Sequence, residues 1–352
     1  MEQIADRPEL LTAEWLTSAL QSVGHDVVVR EVRGEQVGTG QMGTSVRLHL
    51  DLERNGSGLP STIVAKLPTA DESKRAMVAG IYHTEVEFYR ALAPTVSART
   101  PQCHYAAIST DWTRFVLLLE DLAPRQQGDQ IAGCELEHAR MAVQNLAGLH
   151  GPRWCDPTLA DMEWMQIIAG DGATMIGLVM RDATNRYLER YAGRISPEDH
   201  ELLDRIPELL PEWILARPER FAPLHGDYRL DNLMFGDGQD PVATVDWQTI
   251  TLGLPGRDLA YFLSTGLEPE LRRQHERELV EEYHRALVSH GVQGHSLEEC
   301  WDDYRFGMLQ GPLITIVGAA YGEVTDRGDE MFLTMSSRSA QAIRDLGTLD
   351  AL

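Results

Sequence analysis

The pattern of apolar residues changes near Leu122 and divides the chain into two dissimilar parts. Before this point, short apolar segments are separated by clusters of Gly, Asn, Ser and Pro, which is typical of strands joined by turns. After it, apolar residues recur at helical spacing over long stretches. A 352-residue chain exceeds what one hydrophobic core usually organises. The sequence therefore predicts an α+β fold with a small β-rich lobe over residues 1–122 and a larger, mainly helical lobe over residues 123–352.

Each lobe has a predicted set of elements. The β-rich lobe begins with a helix over residues 8–21 and contains one long helix over residues 74–92. Its strands are predicted over residues 27–37, 45–53, 62–67, 104–108 and 115–119. Helices of the second lobe are predicted over residues 136–150, 164–191, 197–216, 258–263, 269–289 and much of 297–345. Only residues 224–245 interrupt these helices, with a loop and short strands.

The composition restricts the partners and the location of the protein. A formal net charge of -23 argues against a nucleic-acid partner, because such binding needs Lys and Arg to displace counterions from phosphates. No segment approaches the ~20 apolar residues that span a bilayer, and the first residues lack the pattern of a signal peptide. The four cysteines are scattered and show no metal-ligand spacing. The sequence thus predicts a cytosolic protein without membrane insertion.

The interruption in the helical lobe carries the residues with the clearest chemistry. It reads His225-Gly-Asp227, with Asn232 five residues after the aspartate and Asp246 at the end of the apolar segment Val-Ala-Thr-Val. Asp227 could accept or orient the proton of an attacking hydroxyl. Asn232 and Asp246 offer the oxygen ligands that Mg²⁺ prefers. These are the parts that phosphoryl transfer from a metal-bound nucleotide requires, whereas Asp231 and Asp237 suit turn and cap roles.

A glycine-rich segment in the first lobe offers a second indication of nucleotide binding. Gly38, Gly40 and Gly43 match the pattern Gly-x-Gly-x-x-Gly, which is a weak signal by itself. A dinucleotide-binding fold, as in an oxidoreductase, needs a helix directly after the glycines. Here the residues after Gly43 alternate with the period of a strand. This context favours a loop that covers nucleotide phosphates, and an ordinary hairpin turn is the other interpretation.

Lys66 and Glu85 are each unusual where they stand. Lys66 lies within the apolar strand segment Thr-Ile-Val-Ala-Lys-Leu, and lysine is rarely buried without a partner. Glu85 lies in the apolar stripe of the long helix, and a carboxylate in such a place needs a counter-charge or a proton. The two residues therefore predict an ion pair that would aim the ammonium group at nucleotide phosphates. Independent surface positions are the alternative.

These residues resemble the aminoglycoside phosphotransferase and choline kinase superfamily, whose fold is similar to that of protein kinases. The most specific segments are His225-Gly-Asp-Tyr-Arg-Leu-Asp-Asn232 and Val245-Asp-Trp-Gln248, supported by a connector segment over residues 117–122. The segments Glu85-Val-Glu-Phe-Tyr89 and Leu146-Ala-Gly-Leu-His150, together with the connector, are most similar to the ecdysteroid-kinase-like branch of phosphotransferases. The similarity extends from about residue 30 to residue 330.

The resemblance implies a two-lobed kinase-like fold that uses ATP and Mg²⁺. The role it implies for Asp227 is that of the catalytic base, with Asn232 and Asp246 as magnesium ligands. The resemblance also implies contacts with the nucleotide at Lys66, which Glu85 would orient, at the glycine loop and at the backbone of Glu120 and Leu122. Asp258 would brace the catalytic loop from behind.

Departures from protein kinases indicate the kind of acceptor. Gly226 stands where regulated protein kinases have an arginine, and only eleven residues separate Asp246 from Asp258, too few for a peptide-docking segment. The resemblance therefore implies the hydroxyl of a small molecule rather than a protein substrate. Large side chains between residues 154 and 180 would make the acceptor partly apolar if they line the site, although packing in the core is their other role. These residues are Trp154, Met162, Trp164, Met165, Met175 and Met180.

The acidic composition favours a cationic acceptor instead, and the sequence leaves this choice open. A nucleotide-binding sensor or scaffold without transferase activity is the alternative function. Degenerate relatives of this kind usually lose the lysine, the base or a metal ligand. This chain keeps all of them, which favours an enzyme. The sequence does not indicate an oligomeric state.

Overall fold

The computed structural model describes residues 4–38, 42–165, 167–237 and 242–350, and the chain divides into two compact units. The N-terminal unit comprises Met1–Pro94, Thr100–Pro124 and Asp246–Gln248. The C-terminal unit comprises Thr95–Arg99, Arg125–Val245 and Thr249–Leu352. An antiparallel sheet dominates the first unit and helices dominate the second, which confirms the predicted fold class.

The N-terminal unit is built on a five-stranded antiparallel sheet with the strand order β1-β2-β3-β5-β4. Every strand predicted for this lobe is present, with bounds that differ by two residues at most. In chain order, the helices and strands of the unit are α1 (Ala13–Ser22), β1 (Val27–Val37), β2 (Gly43–Asn55), β3 (Thr62–Pro68), α2 (Glu72–Glu87), β4 (Cys103–Ile108) and β5 (Phe115–Glu120).

Helix α1 begins later than the sequence predicts. Its N-cap is Thr12, whose hydroxyl accepts a hydrogen bond from the backbone N–H of Trp15, and Pro8–Leu10 forms a separate 3₁₀ turn. The buried side chains of α1 include Trp15 and Leu16, which belong to one hydrophobic core with residues of the sheet. Burial of this face explains why a ten-residue helix is stable here.

Helix α2 is followed by a segment that winds more widely than an α-helix. The predicted helix over residues 74–92 is in fact α2, capped by the Asp71 side chain, and a π-helical segment over Phe88–Leu92. Glu85, Phe88 and Leu92 are buried, as the apolar stripe predicts. π-Helical turns of this kind often occur at functional sites.

The C-terminal unit contains eight α-helices and five short strands among its described residues. The strands are β6 (Gln126–Gln127), β7 (Ala222–Leu224), β8 (Leu233–Phe235), β9 (Val242–Thr244) and β10 (Thr251–Gly253), which form the ladders β6-β8-β9 and β7-β10. The helices are α3 (Leu136–His150), α4 (Gly170–Arg190), α5 (Pro197–Leu215), α6 (Gly256–Gly266), α7 (Pro269–Ser289), α8 (Leu297–Phe306), α9 (Gln310–Tyr321) and α10 (Asp326–Asp345).

One helix prediction in this unit needs correction. The helix predicted from residue 164 begins only at Gly170, because Ile167 forms a parallel bridge with Leu252 of β10 and its backbone is therefore extended. The region from 297 to 345 contains three α-helices, which confirms that much of it is helical. Helix α6 is buried along its whole length, so it can place Asp258 in the interior. In the part of the chain that the structure describes, no helix combines the length and the apolar character needed to cross a membrane.

Candidate active site

The segment from His225 to Asn232 is a loop of the C-terminal unit that is fixed at both ends. It follows β7, which pairs with β10, and it leads into β8, which pairs with β9. His225 is fully buried and Asn232 is 5% exposed. We call residues 225–232 the catalytic loop, because the sequence predicts the catalytic residue within it.

Asp258 braces this loop from helix α6, as the resemblance implies. Its carboxylate accepts hydrogen bonds from the backbone N–H groups of His225, at 2.6 Å, and Gly226, at 3.0 Å. His150 Nε2 lies 3.3 Å from the same carboxylate. Asp258 is fully buried, and buried polar groups of this kind are costly unless they are hydrogen-bonded. The three contacts therefore couple the loop to the core of the unit.

Gly226 occupies a position that no other residue can easily take. Its φ is +81°, which is the left-handed region that favours glycine. A Cβ atom here would also lie 2.6 Å from the carbonyl oxygen of Thr249. The Gln310 side chain donates a hydrogen bond of 3.1 Å to the Gly226 carbonyl. Backbone conformation and close packing thus explain the glycine next to Asp227.

The Asp227 carboxylate is held by three side-chain donors. Tyr261 donates its hydroxyl to Oδ1 at 2.7 Å. Arg229 Nε and Asn232 Nδ2 both donate to Oδ2, each at 3.0 Å. The Asp227 side chain is 20% exposed, so it is accessible but fixed. Sequence reasoning found Asp227 and Asn232 but missed Arg229 and Tyr261.

Asn232 directs its amide nitrogen inward and is tied to the residue before Asp246. Its Nδ2 also donates to the backbone carbonyl of Asp227 at 2.9 Å, so the side-chain oxygen is the atom that could bind a cation. The backbone N–H of Val245 donates to the Asn232 carbonyl at 2.9 Å. His225 Nε2 lies 3.1 Å from the Val245 carbonyl. The catalytic loop therefore fixes the chain up to the residue that precedes Asp246.

In the N-terminal unit, Lys66 joins two carboxylates. Its Nζ lies 2.6 Å from Glu85 Oε1 and 2.9 Å from Asp246 Oδ1. The predicted Lys66–Glu85 ion pair is therefore confirmed, although its role toward a nucleotide stays a prediction. The exposed fractions of the Lys66, Glu85 and Asp246 side chains are 14%, 1% and 42%, respectively. The cluster thus opens to solvent at Asp246.

The charges of this cluster shift the pKa values of Lys66 and Glu85. Burial lowers the pKa of Lys66, but the charges of Asp246 and Glu85 outweigh burial and raise it above its ordinary value, so the ammonium group stays protonated. Burial raises the pKa of Glu85, and Lys66 opposes this effect. The Asp246 side chain is 42% exposed and offers carboxylate oxygens, which are ligands that a divalent cation prefers.

Asp246 has a backbone conformation that is uncommon outside glycine. Its φ is +66°, in the left-handed region, and such values in other residues often mark functional sites. The next residue, Trp247, is fully buried and stacks on Phe88 with ring centroids 3.9 Å apart. Its backbone N–H donates to Glu85 Oε1 at 3.3 Å. Trp247 therefore holds Asp246 beside the end of α2 and its π-helical extension.

The glycine loop is described in part. Gly38 has a φ of +74°, and a Cβ atom at Gly43 would lie 2.7 Å from the Leu67 carbonyl oxygen, so both positions favour glycine. Gly40, the third predicted loop glycine, lies outside the described residues. The hydroxyl of Tyr82 donates to the Met42 carbonyl at 2.7 Å, which anchors the end of the loop to α2. A strand follows the loop, as predicted.

The predicted adenine-binding connector follows β5. The backbone N–H of Glu120 already donates to the Gln102 carbonyl at 2.8 Å, so a base would have to use the Glu120 carbonyl. Leu122 is 9% exposed. Between them, Asp121 accepts hydrogen bonds from Arg47 Nε at 2.8 Å and from Arg47 Nη2 at 3.1 Å. This two-point ion pair fixes the connector to strand β2.

The Arg47–Asp121 ion pair should make the stability of the protein depend on pH. Burial raises the pKa of Asp121, but the hydrogen bond and charge of Arg47 outweigh it and hold the pKa below its ordinary value of 3.8. Such a carboxylate stabilises the fold above its unfolded-state pKa, and this contribution is lost as the pH falls through the folded-state pKa. Asp121→Asn should therefore lower the free energy of unfolding at pH 7 by about 1–3 kcal/mol.

Urea denaturation of wild type and Asp121→Asn at pH 7, 4.5 and 3.5 would test this prediction. The difference in free energy of unfolding between wild type and Asp121→Asn should become smaller below about pH 4. Asp51→Asn is a matched control, because the Arg30–Asp51 pair lies on an exposed surface. A difference that stays constant down to pH 3.5 would contradict the assignment.

The six large side chains predicted to line the acceptor site differ in how deeply they are buried. Met165 and Met180 are buried in the core, whereas Met175 is 59% exposed. The other three are half-buried: Trp154, Met162 and Trp164. A different apolar group lies next to Asp227, because Tyr261 belongs to a cluster with buried Met331 and Met335 and with the half-buried residues Ile131, Ile314 and Phe332.

Comparison with solved structures shows where this arrangement of elements occurs. The choline kinase from Cryptosporidium parvum has a TM-score of 0.57 and 12% sequence identity, with 91% of each chain covered. The GDP complex of aminoglycoside 2'-phosphotransferase-IIIa has a TM-score of 0.53 and 13% identity, covering 93% of this chain and 98% of that one. The Plasmodium vivax ethanolamine kinase has a TM-score of 0.52 and 11% identity, covering 95% and 89%. At these identities the similarity shows the kinase-like fold alone.

Sequence comparison adds a short match and a long one. The mouse acyl-CoA dehydrogenase family member 10 is 43% identical over 58 residues, which is 15% of this chain and 5% of that protein. The match therefore spans a small part of this curated relative. The model of the ecdysteroid kinase-like family matches residues 38–153 and 162–293, which is well over half of the chain. The chain therefore belongs to the ecdysteroid kinase-like family.

Proposed function

We propose that this protein is an ATP- and Mg²⁺-dependent kinase that phosphorylates a hydroxyl group of a small molecule. The observation that carries the proposal is the contact of the Lys66 ammonium group, on a side chain that is 14% exposed, with both Glu85 and Asp246. One carboxylate is enough to balance the charge of a lysine. An arrangement with two carboxylates suits a site that also receives phosphate and a cation. Membership of the family supports this interpretation.

Each site residue has a proposed role. Lys66 contacts phosphate oxygens of ATP and Glu85 orients it, while the glycine loop and the connector at Glu120 and Leu122 hold the rest of the nucleotide. Asn232 and Asp246 would hold magnesium, whose positive charge neutralises the phosphates. Among the described residues, no group of three or more His, Cys, Asp or Glu side chains could hold a metal ion by itself. These two ligands would therefore need phosphate and water to complete the coordination, as Mg²⁺ sites commonly do.

Asp227 acts on the acceptor. Its carboxylate orients the hydroxyl and receives its proton as the acceptor oxygen bonds to the γ-phosphorus, and the bond between that phosphorus and ADP breaks. The proton then passes to solvent. This role suits a side chain that is one-fifth exposed and held by three donors.

The apolar cluster around Tyr261 favours an acceptor that is partly apolar. Ile131, Ile314 and Phe332 are half-buried and pack against this cluster. The Tyr261 hydroxyl lies 2.7 Å from Asp227. A sterol-like alcohol could bury apolar surface here, whereas an aminoglycoside or choline would gain less. The location in the cytosol stays a prediction of the sequence.

A panel of acceptors would test the proposed function. The protein is incubated with ATP and MgCl₂ and with sterol-like alcohols, aminoglycosides, choline and ethanolamine in turn, and release of ADP is measured. The proposal expects release that depends on both one class of acceptor and Mg²⁺. ATP binding without turnover on any acceptor would indicate instead a nucleotide sensor or scaffold of the same fold.

A further inference from the structure

Arg229 bridges two carboxylates of the catalytic loop. Its Nε donates to Asp227 Oδ2, and its Nη1 donates to Asp231 Oδ2, each at 3.0 Å. The Arg229 side chain is 20% exposed, so most of the guanidinium group is removed from water. A guanidinium group presents its donors in a rigid plane, and two fixed contacts therefore define its orientation. The hydrogen bond from Arg229 can therefore fix the orientation of the Asp227 carboxylate.

Asp231 is fixed in turn by other parts of the C-terminal unit. Arg327 of α10 donates to both Asp231 oxygens at 3.0 Å, and the backbone N–H of Gln130 donates to Oδ1 at 3.0 Å. The Asp231 side chain is 10% exposed. Asp231 lies in the 3₁₀ turn Leu230–Asn232, so it has the expected place in a turn, but its side chain anchors Arg229 and does not cap that turn.

Tyr261 holds the other oxygen of Asp227 from helix α6. The Tyr261 side chain is fully buried, and its hydroxyl donates to Asp227 Oδ1 at 2.7 Å. Its ring packs with Met331 and Met335 of α10. Because the ring cannot move without disturbing this cluster, the position of the hydroxyl is set by the core of the unit.

The hydrogen bonds to Asp227 leave room for one more donor. A carboxylate has about four lone-pair sites. Arg229 and Asn232 take both sites on Oδ2, and Tyr261 takes one of the two on Oδ1. Among the described residues, no other side chain donates to Asp227. The second site on Oδ1 is therefore the one that an acceptor hydroxyl can reach without displacing a protein donor.

We infer that Arg229 and Tyr261 are positioning residues that fix the Asp227 carboxylate and restrict the acceptor hydroxyl to Oδ1. The inference rests on the proposed function, because it concerns the aspartate of that same site. It assigns the pair a role in orienting the acceptor rather than in binding the nucleotide. Loss of either residue should therefore lower kcat and leave the KM for ATP unchanged.

Kinetics of single variants test the inference. Tyr261→Phe removes one hydrogen bond and should lower kcat about tenfold, and Arg229→Met should lower it by about 10- to 100-fold because its hydrogen bond is charge-assisted. The KM for ATP should stay within about twofold in both variants. Arg229→Lys should recover only part of the loss, because lysine lacks the planar pair of donors. The acceptor is the one found in the panel, or water in the slow hydrolysis of Mg-ATP.

Matched controls separate positioning from general damage to the fold. Tyr187→Phe removes the hydroxyl of another buried tyrosine, which bonds Ser336, and Arg181→Met removes an arginine that pairs with Asp204 on the surface. Neither residue contacts Asp227, so kcat should stay within about twofold of wild type in both controls. A kcat for Tyr261→Phe that equals that of Tyr187→Phe would overturn the inference.

A spectroscopic test does not require activity. Protein labelled with 3-fluorotyrosine is studied by ¹⁹F NMR, and the Tyr261 resonance is assigned by its absence in Tyr261→Phe. Asp227→Asn should shift this resonance, and the Arg181→Met control should leave it in place. If the resonance shifts in Asp227→Asn but the wild-type protein phosphorylates no acceptor, the Asp227–Tyr261 contact is upheld and the proposed function is contradicted. If the Tyr261 resonance does not shift in Asp227→Asn, the inference is wrong, whether or not the wild-type protein has kinase activity.

Discussion

Asp227→Asn should lower turnover by roughly 10²- to 10⁴-fold, which is the usual contribution of a positioned acid or base. The amide keeps the size of the side chain but cannot accept the proton of the acceptor hydroxyl. Its NH₂ group would also face donors, because Tyr261, Arg229 and Asn232 all donate to the carboxylate. Nucleotide affinity should change by about twofold at most, since the residues proposed to bind ATP are intact.

Two measurements on the same preparation test this prediction. ADP release in the presence of the acceptor gives the turnover, and calorimetry with a non-hydrolysable ATP analogue gives the affinity. Asp204→Asn is the control, because Asp204 pairs with Arg181 on the surface, and its side chain is 54% exposed. Turnover of Asp227→Asn at the level of the control would remove Asp227 from the chemistry.

Asp258→Asn should destabilise the protein by about 3–5 kcal/mol, which is the usual cost of removing one charge from a buried network. The carboxylate accepts two backbone N–H groups of the catalytic loop and lies beside His150. An asparagine offers a single oxygen, and its NH₂ group would compete with these donors. At least one buried N–H would then lose its partner, which costs free energy by itself.

Chemical denaturation monitored by tryptophan fluorescence would measure this effect on the C-terminal unit. The Asp258→Asn variant should unfold at a clearly lower denaturant concentration, whereas Asp204→Asn should shift the midpoint little, because exposed ion pairs contribute about 0–1 kcal/mol. If both variants lose the same small amount, Asp258 does not brace the loop.

Local patterns in the sequence were enough to predict most elements of the fold. Alternation after Gly43 identifies β2, because Val46, Leu48 and Leu50 on one face of that strand are buried in the core. The π-helical segment after α2 was not predicted, since helical periodicity does not reveal how widely a turn winds. The helix predicted from residue 164 started too early, because residues 164 and 165 form a turn and a bend, and Ile167 bridges Leu252 of β10, which lies 85 residues away in the sequence.

A residue of the candidate site could be predicted where its charge was unusual among its apolar neighbours in the sequence. Lys66 in an apolar strand and Glu85 in an apolar helix stripe each needed a partner, and the structure pairs them. Tyr261 gave no such signal, because a tyrosine in a buried helix looks like core, and its contact with Asp227 spans 34 residues. Arg229 lies inside the motif itself, but its two partners became evident only from the folded loop.

The most direct test of the account is the effect of Mg²⁺ on nucleotide binding. Calorimetry with a non-hydrolysable ATP analogue, with and without MgCl₂, is carried out on wild type, Asp246→Asn and Asn232→Ala. We expect Mg²⁺ to tighten binding of the analogue to wild type by about tenfold or more, and both variants to lose most of this gain. Equal affinity with and without Mg²⁺ in the wild type, or an undiminished gain in both variants, would contradict it.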